Sequence, residues 1–334
     1  MAKNTIALLG AGSWGTAVAI HLAKIGHRVL LWGHNPQHVA DMSSSRSNQR
    51  FLPDVVFPDH IIPSADLNHC IKNAEYVVVA VPSHAFADVL AKMDKPAHGL
   101  TWLTKGVDPQ SHQLLHELVA QRFGATFPQA LVSGPSFAGE VARFLPTALT
   151  LAGNNLDYQK KIHHLFHHHN IRVYLSDDLI GVELCGAVKN ILAIACGISD
   201  GLGYGANAKA ALITRGLAEM SRLGLSLGAK QDTFIGLAGV GDLVLTCTDN
   251  QSRNRRFGLL LGQGASIDKA ELQIGQVVEG KHNAAQICAI AKNKQIEMPI
   301  CEQVNALLNG TVSAQQAVQN LMNRPARDER ERRC

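Results

Sequence analysis

A glycine-rich turn near the amino terminus constrains the fold of this chain more than any other feature of the sequence. Residues 10–15 read Gly-Ala-Gly-Ser-Trp-Gly, and they follow an apolar run and precede a helical pattern. A GxGxxG pattern in that context is typical of a dinucleotide-binding βαβ unit. Gly10 permits the tight turn, Gly12 lets a pyrophosphate approach the backbone, and Gly15 permits close packing of the helix on the sheet. The alternative is an ordinary turn that needs glycine for its geometry alone.

The first half of the chain alternates short apolar runs with helix-length segments. Such runs predict a parallel sheet that is covered on both faces, which is the doubly wound α/β class. Because 334 residues exceed the length of one typical domain, we also expect a second domain. The predicted strands are residues 5–9, 28–32, 76–81, 100–104, 130–133, 147–152 and 171–175.

Helical patterns rich in Ala, Leu and Gly replace the strand signals after about residue 177. We therefore predict a Rossmann-type dinucleotide-binding domain over residues 1–180 and an all-helical domain over residues 181–323. Arg, Asp and Glu dominate residues 324–334, which predicts a charged and disordered tail. The predicted helices of the second domain are residues 178–198, 206–227, 230–236, 252–262, 281–293, 299–308 and 313–323.

Composition disfavours several classes of protein. The net charge of +4 comes without a basic stripe, which argues against a nucleic-acid partner. Seven scattered cysteines without a CxxC pair predict neither a zinc site nor a disulfide framework. The histidine run at residues 163–169 lacks a carboxylate or cysteine at ligand spacing, so we expect no bound metal.

The longest apolar segment, residues 179–198, is not expected to span a membrane. It contains Glu183, Lys189 and Asn190, which a membrane-spanning helix would tolerate poorly. The amino terminus also lacks the pattern of a signal peptide, since its apolar run breaks at Gly10 and Gly12. We therefore expect a cytoplasmic protein with reduced cysteines.

The residues after the second predicted strand indicate which cofactor the turn accepts. NAD-specific proteins of this class carry an acidic residue there, which holds the ribose 2′-hydroxyl. No acidic residue lies between positions 16 and 40, and His34 occupies the expected place, with Arg46 and Arg50 further along. A 2′-phosphate would not be repelled, so we predict that NADP(H) is accepted and preferred over NAD(H).

Two segments at predicted strand ends could contact a substrate. Lys105 follows one strand, at the sheet edge outside which ligands bind in open parallel sheets. Gly134 and Ser136 follow the next strand, where backbone amides and a hydroxyl could donate to a substrate oxygen. The alternatives are a solvated lysine and a plain turn.

Lys189 lies in the middle of an apolar helical segment and is the candidate for proton transfer. A lysine at such a position is unfavourable unless it is paired or functional. Desolvation lowers the pKa of a lysine, which suits it to acid–base chemistry near neutral pH. The alternative is a lysine on the one solvated stripe of the helix.

Two later segments carry further polar candidates. The glycines at positions 239 and 241 could turn Asp242 inward, where its carboxylate could orient Lys189. Ser252, Arg253 and Asn254 begin a predicted helix and offer a hydroxyl, a guanidinium and an amide to a phosphate. The helix dipole disfavours cations at this end, so an anionic ligand explains the basic first turn better than a solvated helix start does.

These segments together resemble the NAD(P)-dependent glycerol-3-phosphate dehydrogenase family, from the glycine-rich turn to about residue 323. The shared motifs occur in the family's order and are GAGSWGTA at 10–17, the Val-rich strand with Pro82, TKG at 104–106, SGPSFAGEVA at 133–142, VKN at 188–190, GVGDLVLTC at 239–247, SRNRRFG at 252–258 and VVEG at 277–280.

The resemblance implies reversible reduction of dihydroxyacetone phosphate to sn-glycerol 3-phosphate, which supplies phospholipid synthesis. It also implies a helical second domain similar to that of 6-phosphogluconate dehydrogenase, and a homodimer. By resemblance, Lys189 is the catalytic proton donor and acceptor. The positions implied to contact substrate are Lys105, Gly134, Ser136, Lys189, Asp242, Ser252, Arg253 and Asn254. Those implied to contact the cofactor are Gly10, Gly12, Ser13, Trp14, Gly15, His34, Lys105, Ala138, Arg253, Val277 and Glu279.

Three other functions are compatible with parts of the sequence. A related dehydrogenase could act on 6-phosphogluconate or a small hydroxy acid, although the motifs at Asp242 and Arg253 weigh against it. A non-catalytic NADPH sensor or scaffold would keep the turn but would have no reason to place Lys189 in an apolar helix. A flavoprotein would share the turn.

Overall fold

The computed structural model describes residues 3–325. Within this range all ten strands precede residue 177. In chain order they are β1 (Thr5–Leu9), β2 (Arg28–Trp32), β3 (Ser47–Asn48), β4 (Leu52–Val56), β5 (Ile61–Ser64), β6 (Tyr76–Val79), β7 (Leu100–Trp102), β8 (Gln129–Ser133), β9 (Thr147–Gly153) and β10 (Ile171–Ser176).

Seven helices are interspersed with these strands, and nine follow them. The first group comprises α1 (Ser13–Lys24), α2 (Pro36–Ser45), α3 (Leu67–Lys72), α4 (Ser83–Lys92), α5 (Leu115–Phe123), α6 (Ala138–Ala142) and α7 (Leu156–Phe166). The second group comprises α8 (Leu179–Gly201), α9 (Ala206–Ser226), α10 (Gln231–Ile235), α11 (Asp242–Thr248), α12 (Arg253–Gly262), α13 (Ile267–Ile274), α14 (Glu279–Asn293), α15 (Pro299–Leu308) and α16 (Ala314–Met322). A π-helical turn at Leu237–Gly241 leads into α11.

Eight strands form one sheet in the order β10-β9-β8-β7-β6-β1-β2-β5, and β3 and β4 form a separate ribbon. The central strand β1 pairs in parallel with β2 and β6. Its Ile6 and Leu8 enter one hydrophobic core, whereas Ala7 and Leu9 enter another. The sheet is therefore buried on both faces, as its continuous apolar strands predict.

The last two strands differ from the predicted parallel arrangement. β9 pairs antiparallel with β8, and β10 pairs in parallel with β9. Between β8 and β9 the chain forms α6, which packs on α1. The chain then enters β9 at the same end of the sheet at which it left β8, so the two strands are antiparallel. An apolar run shows that a strand is buried but does not specify its direction.

α8 is the central element of the helical half. Its residues from Gly181 to Ser199 are all buried, and α9, α11, α12 and α14 pack around it. Within residues 3–325 it is the one helix of 18 or more residues that is apolar enough to cross a membrane, and here it forms a protein core. The buried position removes the need for a polar stripe along the helix.

Glycines bring α8 and α12 into backbone contact. A Cβ atom added to Gly258 would lie 2.1 Å from the carbonyl oxygen of Ile194, and one added to Gly197 would lie 2.0 Å from that of Arg255. Real Cβ atoms do not approach backbone atoms so closely, so neither position can hold a side chain without displacing a helix. The amino terminus of α12 is thereby held beside the middle of α8.

Most of the predicted elements are present, and the elements that the sequence analysis missed are all short. The short strands β3, β4 and β5 were not predicted, since two of them contain proline and all lie at an edge or in a ribbon. The short helices α11 and α13 were also not predicted. The division at residue 180 stays a prediction and falls just after the start of α8. Residues 326–334 of the predicted tail lie outside the described range.

The contact between α8 and α12 predicts the effect of Gly258→Ala. Alanine is favoured over glycine inside a helix by about 1 kcal/mol, but here its methyl group would overlap the Ile194 carbonyl and cost roughly 1–3 kcal/mol or more. We expect a lower midpoint of thermal unfolding. Gly205→Ala is the control, because Gly205 is exposed and an added Cβ meets nothing within 4 Å. Equal midpoints for the two variants would contradict the packing argument.

Candidate active site

The glycine-rich turn lies at the carboxyl end of β1, and its three glycines have different environments. Gly10 has φ +128°, and a Cβ there would lie 2.7 Å from the backbone carbonyl carbon of Ala80. A Cβ on Gly15 would lie 2.0 Å from the Gly10 oxygen. Gly12, by contrast, has no neighbouring atom within 4 Å of an added Cβ, so its outer side is open to a ligand.

The start of α1 offers unpaired donors at this opening. Gly12 is the N-cap and contributes no side-chain hydrogen bond, so the first amides of the helix remain available. The indole Nε1 of Trp14 is also buried without a partner among the described residues. The open side of Gly12 and these orphaned donors fit the phosphates of a dinucleotide.

The region beyond β2 carries no carboxylate at the predicted ribose position. His34 is exposed there, and Asn35 caps α2 by accepting from the amide of His38. Arg50 is exposed, with its guanidinium 5.1 Å from the Phe51 ring centre. His34 and Arg50 therefore remain available to a 2′-phosphate.

Arg46, which follows His34 in the sequence, is held by contacts with the backbone. Its guanidinium donates to the carbonyl oxygens of Phe57, Pro58 and Ile61, and it lies 3.5 Å from a carboxylate oxygen of Asp59. These contacts hold the segment between β4 and β5. Arg46 is thus engaged with the backbone rather than free to face a 2′-phosphate.

A buried carboxylate joins two lysines where the sheet meets the helical half. Asp242 accepts from Lys189 Nζ at 2.6 Å through one oxygen and from Lys105 Nζ at 2.7 Å through the other. Lys189 Nζ also donates to Thr246 Oγ1 at 2.8 Å. Asp242 is 1% exposed and Lys189 6%, so the pair is almost fully desolvated. The three charged groups carry one net positive charge.

Local structure explains how these side chains converge. Lys105 follows β7, Lys189 projects from the middle of α8, and Asp242 begins α11 after the π-helical turn. Gly186 on α8 leaves space for Lys105, whose Cγ would lie 3.2 Å from an added Cβ. Gly239 permits the π-helical turn, because a Cβ there would lie 2.2 Å from the carbonyl oxygen of Phe234. Single π-helical turns recur at functional sites.

Burial and charge change the acidity of this cluster. Burial lowers the pKa of Lys189 to about 8, and the charge of Lys105 lowers it as well, while Asp242 opposes both effects. Burial also opposes ionisation of Asp242, but the two ammonium groups outweigh it and lower the pKa of that carboxyl. The lysine can therefore exchange a proton near neutral pH while the carboxylate stays charged.

The loop after β8 lies beside this cluster. The carbonyl oxygen of Gly134 accepts from Lys105 Nζ at 3.2 Å and from Ser136 Oγ at 3.0 Å. Gly134 has φ +128°, a conformation that favours glycine. Ala138 begins α6 and is half-buried. The structure therefore brings Lys105, Gly134 and Ser136 together.

The start of α12 places its three polar residues in different roles. Ser252 is the N-cap and accepts from the amide of Arg255. Asn254 donates to Asn190 Oδ1 at 2.9 Å and accepts from the Gly280 amide at 2.9 Å, so it links α8, α12 and α14. Arg253 instead extends toward the segment before α14.

Gln276 connects Arg253 to the glycine-rich turn. Its Oε1 accepts from Arg253 Nη1 at 2.8 Å and from Ser13 Oγ at 3.1 Å. Ser13 Oγ also lies 2.8 Å from the carbonyl oxygen of Phe51. The cofactor candidates Ser13 and Arg253 therefore share one acceptor across the cleft.

Glu279 and Val277 lie at the same side of the cleft. Val277 is partly exposed, and Glu279 accepts from Ser83 Oγ at 3.1 Å at the start of α4. Burial raises the pKa of Glu279 to about 7. The side-chain nitrogen of Asn283, next to this contact, is buried without a partner among the described residues.

Sequence reasoning missed Thr246, Gln276 and Ser83. Thr246 had a usable signal, since it lies four residues after Asp242 and hence on the same face of a helix. Gln276 and Ser83 come from segments distant in sequence from their partners, and only the fold brings them together. Within residues 3–325 no group of three His, Cys, Asp or Glu side chains could hold a metal ion.

Two family models together match most of the chain. The model described as the NAD-dependent glycerol-3-phosphate dehydrogenase N-terminus matches residues 5–159, and the one for the C-terminus matches residues 178–319. Neither corresponds to the hydroxy-acid dehydrogenase, sensor or flavoprotein alternatives.

Relatives and solved structures agree with these models. The chain is 76% identical over 329 residues to a glycerol-3-phosphate dehydrogenase (NAD(P)+) of Legionella pneumophila, covering 98% of this chain and all of that protein. It is 52% identical over 332 residues to the Thioalkalivibrio sulfidiphilus enzyme of the same name, again covering 98% and all. The crystal structure of glycerol-3-phosphate dehydrogenase from Coxiella burnetii superposes with a TM-score of 0.93 at 50% identity, covering 96% of this chain and 99% of that one. The chain belongs to the NAD-dependent glycerol-3-phosphate dehydrogenase family.

Proposed function

We propose that this chain reduces dihydroxyacetone phosphate reversibly to sn-glycerol 3-phosphate, with Lys189 as the proton donor and acceptor. The observation that carries the proposal is the buried Lys189 ammonium, held by Asp242 and Thr246 beside the carboxyl edge of the sheet. The product of this reaction supplies phospholipid synthesis.

Lys189 acts on the carbonyl oxygen of the substrate. Bound NAD(P)H supplies the hydride that reduces the carbonyl carbon. Negative charge then develops on the oxygen, where the Lys189 ammonium stabilises it and donates a proton. Asp242 and Thr246 fix the position of Nζ, so little reorganisation is needed. In the reverse direction the neutral amine takes the hydroxyl proton.

The phosphate end of the substrate is held by positively charged and polar groups around the cleft. Ser252, Arg253 and Asn254 form the start of α12, and Lys105 lies with Gly134 and Ser136 beside the loop after β8. A guanidinium and helix amides form strong hydrogen bonds to phosphate oxygens. Binding energy from this end orients the carbonyl toward Lys189.

The cofactor is held by residues from both halves of the chain. Gly10, Gly12 and Gly15 shape the turn that receives the pyrophosphate, and the amides of Ser13 and Trp14 face it. His34 lies at the ribose position. The remaining cofactor positions are Lys105, Ala138, Arg253, Val277 and Glu279.

Three further features belong to the same proposal. The chain has a Rossmann-type domain at residues 1–180 and a helical domain at 181–323, works in the cytoplasm and forms a homodimer.

An apolar groove of about 560 Å³ between α9, α15 and α16 supports self-association of two chains. Met322, at its side, is 79% exposed. Light scattering that gives the mass of one chain would refute the dimer.

The role of Lys189 predicts the kinetics of Lys189→Ala. We expect kcat for ketone reduction to fall by about 100-fold or more, the usual contribution of a positioned proton donor. NADPH binding, measured by the fluorescence of the bound cofactor, should persist because Lys189 is not among the residues assigned to the cofactor. Turnover close to that of the unmodified protein would remove Lys189 from this role.

The role of Arg253 predicts a different signature. Arg253→Ala should mainly raise KM for dihydroxyacetone phosphate, because the variant loses a charge-assisted contact to the phosphate. Unphosphorylated dihydroxyacetone is the matched control, since its slow turnover should change much less. An unchanged KM for the phosphorylated substrate would refute phosphate binding at this position.

Turnover of 6-phosphogluconate but not of dihydroxyacetone phosphate by the unmodified protein would overturn the proposed reaction.

The surroundings of His34 predict a preference for NADPH. We expect kcat/KM to be higher with NADPH than with NADH, since no carboxylate repels the 2′-phosphate. His34→Asp should reverse this order by introducing repulsion and a ribose acceptor. A tenfold higher kcat/KM for NADH in the unmodified protein would contradict the prediction.

A further inference from the structure

A basic cavity lies at the amino-terminal edge of the sheet, opposite the glycine-rich turn. Its volume is about 370 Å³, and it is lined by residues just before β1 and β2, the start of β6, α7 from Lys160 onward, and two histidines that follow α7. Residues 10–15 follow the other end of β1. A ligand in the cavity would therefore not compete with the cofactor for space.

The charge of the cavity lining is entirely positive or neutral. Lys3, Lys160 and Lys161 line it, and no ion pair to any of them exists within residues 3–325. Glu75 accepts from the Asn4 amide at 2.8 Å but does not itself line the cavity. Three ammonium groups around one concave space create a local positive potential that favours an anion.

Buried histidines add unsatisfied hydrogen-bonding groups. His27 is 3% exposed, and its Nδ1 has no partner within the described residues. Nδ1 of His168, another lining residue, is buried and unpartnered as well. Buried polar atoms are nearly always hydrogen-bonded, so the two Nδ1 atoms leave hydrogen-bonding capacity in the cavity wall that the described residues do not satisfy. The α7 dipole does not explain the lysines, because Lys160 and Lys161 lie in the middle of the helix and not in its last turn.

We propose that this cavity binds an oligophosphate, a small anion with two or more linked phosphate groups. Its volume lies within the range of small-molecule pockets, roughly 300–1,000 Å³, and exceeds what a single phosphate requires. The lysines would contact separate phosphate groups as point charges. The anion is either free or the tail of a nucleotide.

Titration calorimetry with inorganic triphosphate tests the proposal, with the protein saturated with NADPH and sn-glycerol 3-phosphate so that the glycine-rich turn and the proposed phosphate site in the cleft are both filled. We expect one saturable site per chain. Lys160→Ala/Lys161→Ala should raise Kd by tenfold or more. Lys292→Ala/Lys294→Ala removes two exposed lysines at the end of α14 and should leave Kd unchanged. Unchanged ketone reduction by both variants without triphosphate verifies that they fold.

The same titration with ATP distinguishes the two sources of the anion. Tighter binding of ATP than of triphosphate identifies a nucleotide tail, and equal or weaker binding identifies the free anion. The proposal is overturned if NADPH-saturated protein shows no saturable binding of either compound. Equal Kd values for the two double variants would overturn it as well.

Discussion

The carboxylate of Asp242 lies between two ammonium groups in a nearly dry cleft, and the site depends on this contact. Each charge alone would be unfavourable at such burial, and removal of one member of a buried pair typically costs about 3–5 kcal/mol. Lys105 comes from the sheet half of the chain, whereas Lys189 and Asp242 come from the helical half. One side chain therefore joins the two halves and sets the position of Lys189.

The charge balance also suits the reaction. Two lysines and one aspartate leave a net positive charge, which favours the anionic substrate that we propose binds here. Because Lys105 shares the carboxylate, Asp242 compensates Lys189 only in part, and burial lowers the lysine pKa to about 8. A lysine with an ordinary pKa would stay protonated near neutral pH, so little neutral amine would be present to take the hydroxyl proton in the reverse direction.

Close helix packing provides the geometry. Gly258 and Gly197 let α12 touch α8 through the backbone, and the Asn254–Asn190 hydrogen bond continues that contact at the amino terminus of α12. Arg253 is thus presented to the cleft from a rigid support. The same logic explains why α8 is so apolar, since every side of it faces protein.

The sequence predicts the parts of this arrangement that have local causes. The turn at residues 10–15, the buried strands and the anomalous position of Lys189 follow from spacing and hydrophobicity, and family membership agrees with the resemblance. The direction of β9, the engagement of Arg46 and the Gln276 bridge depend on contacts between distant segments. The local sequence pattern contains no information on these three features. Thr246 is different, because its helical spacing after Asp242 could have been read from the sequence.

The pH dependence of kcat/KM for ketone reduction tests the role of Lys189 most directly. Only the ammonium form can donate the proton, so the rate should be level below about pH 8 and fall tenfold per pH unit above it. Lys105→Met should move the break to higher pH, because the neighbouring charge that lowers the lysine pKa is gone. A profile that stays level to pH 10, or a break that Lys105→Met does not move, would contradict proton donation by a lysine coupled through Asp242.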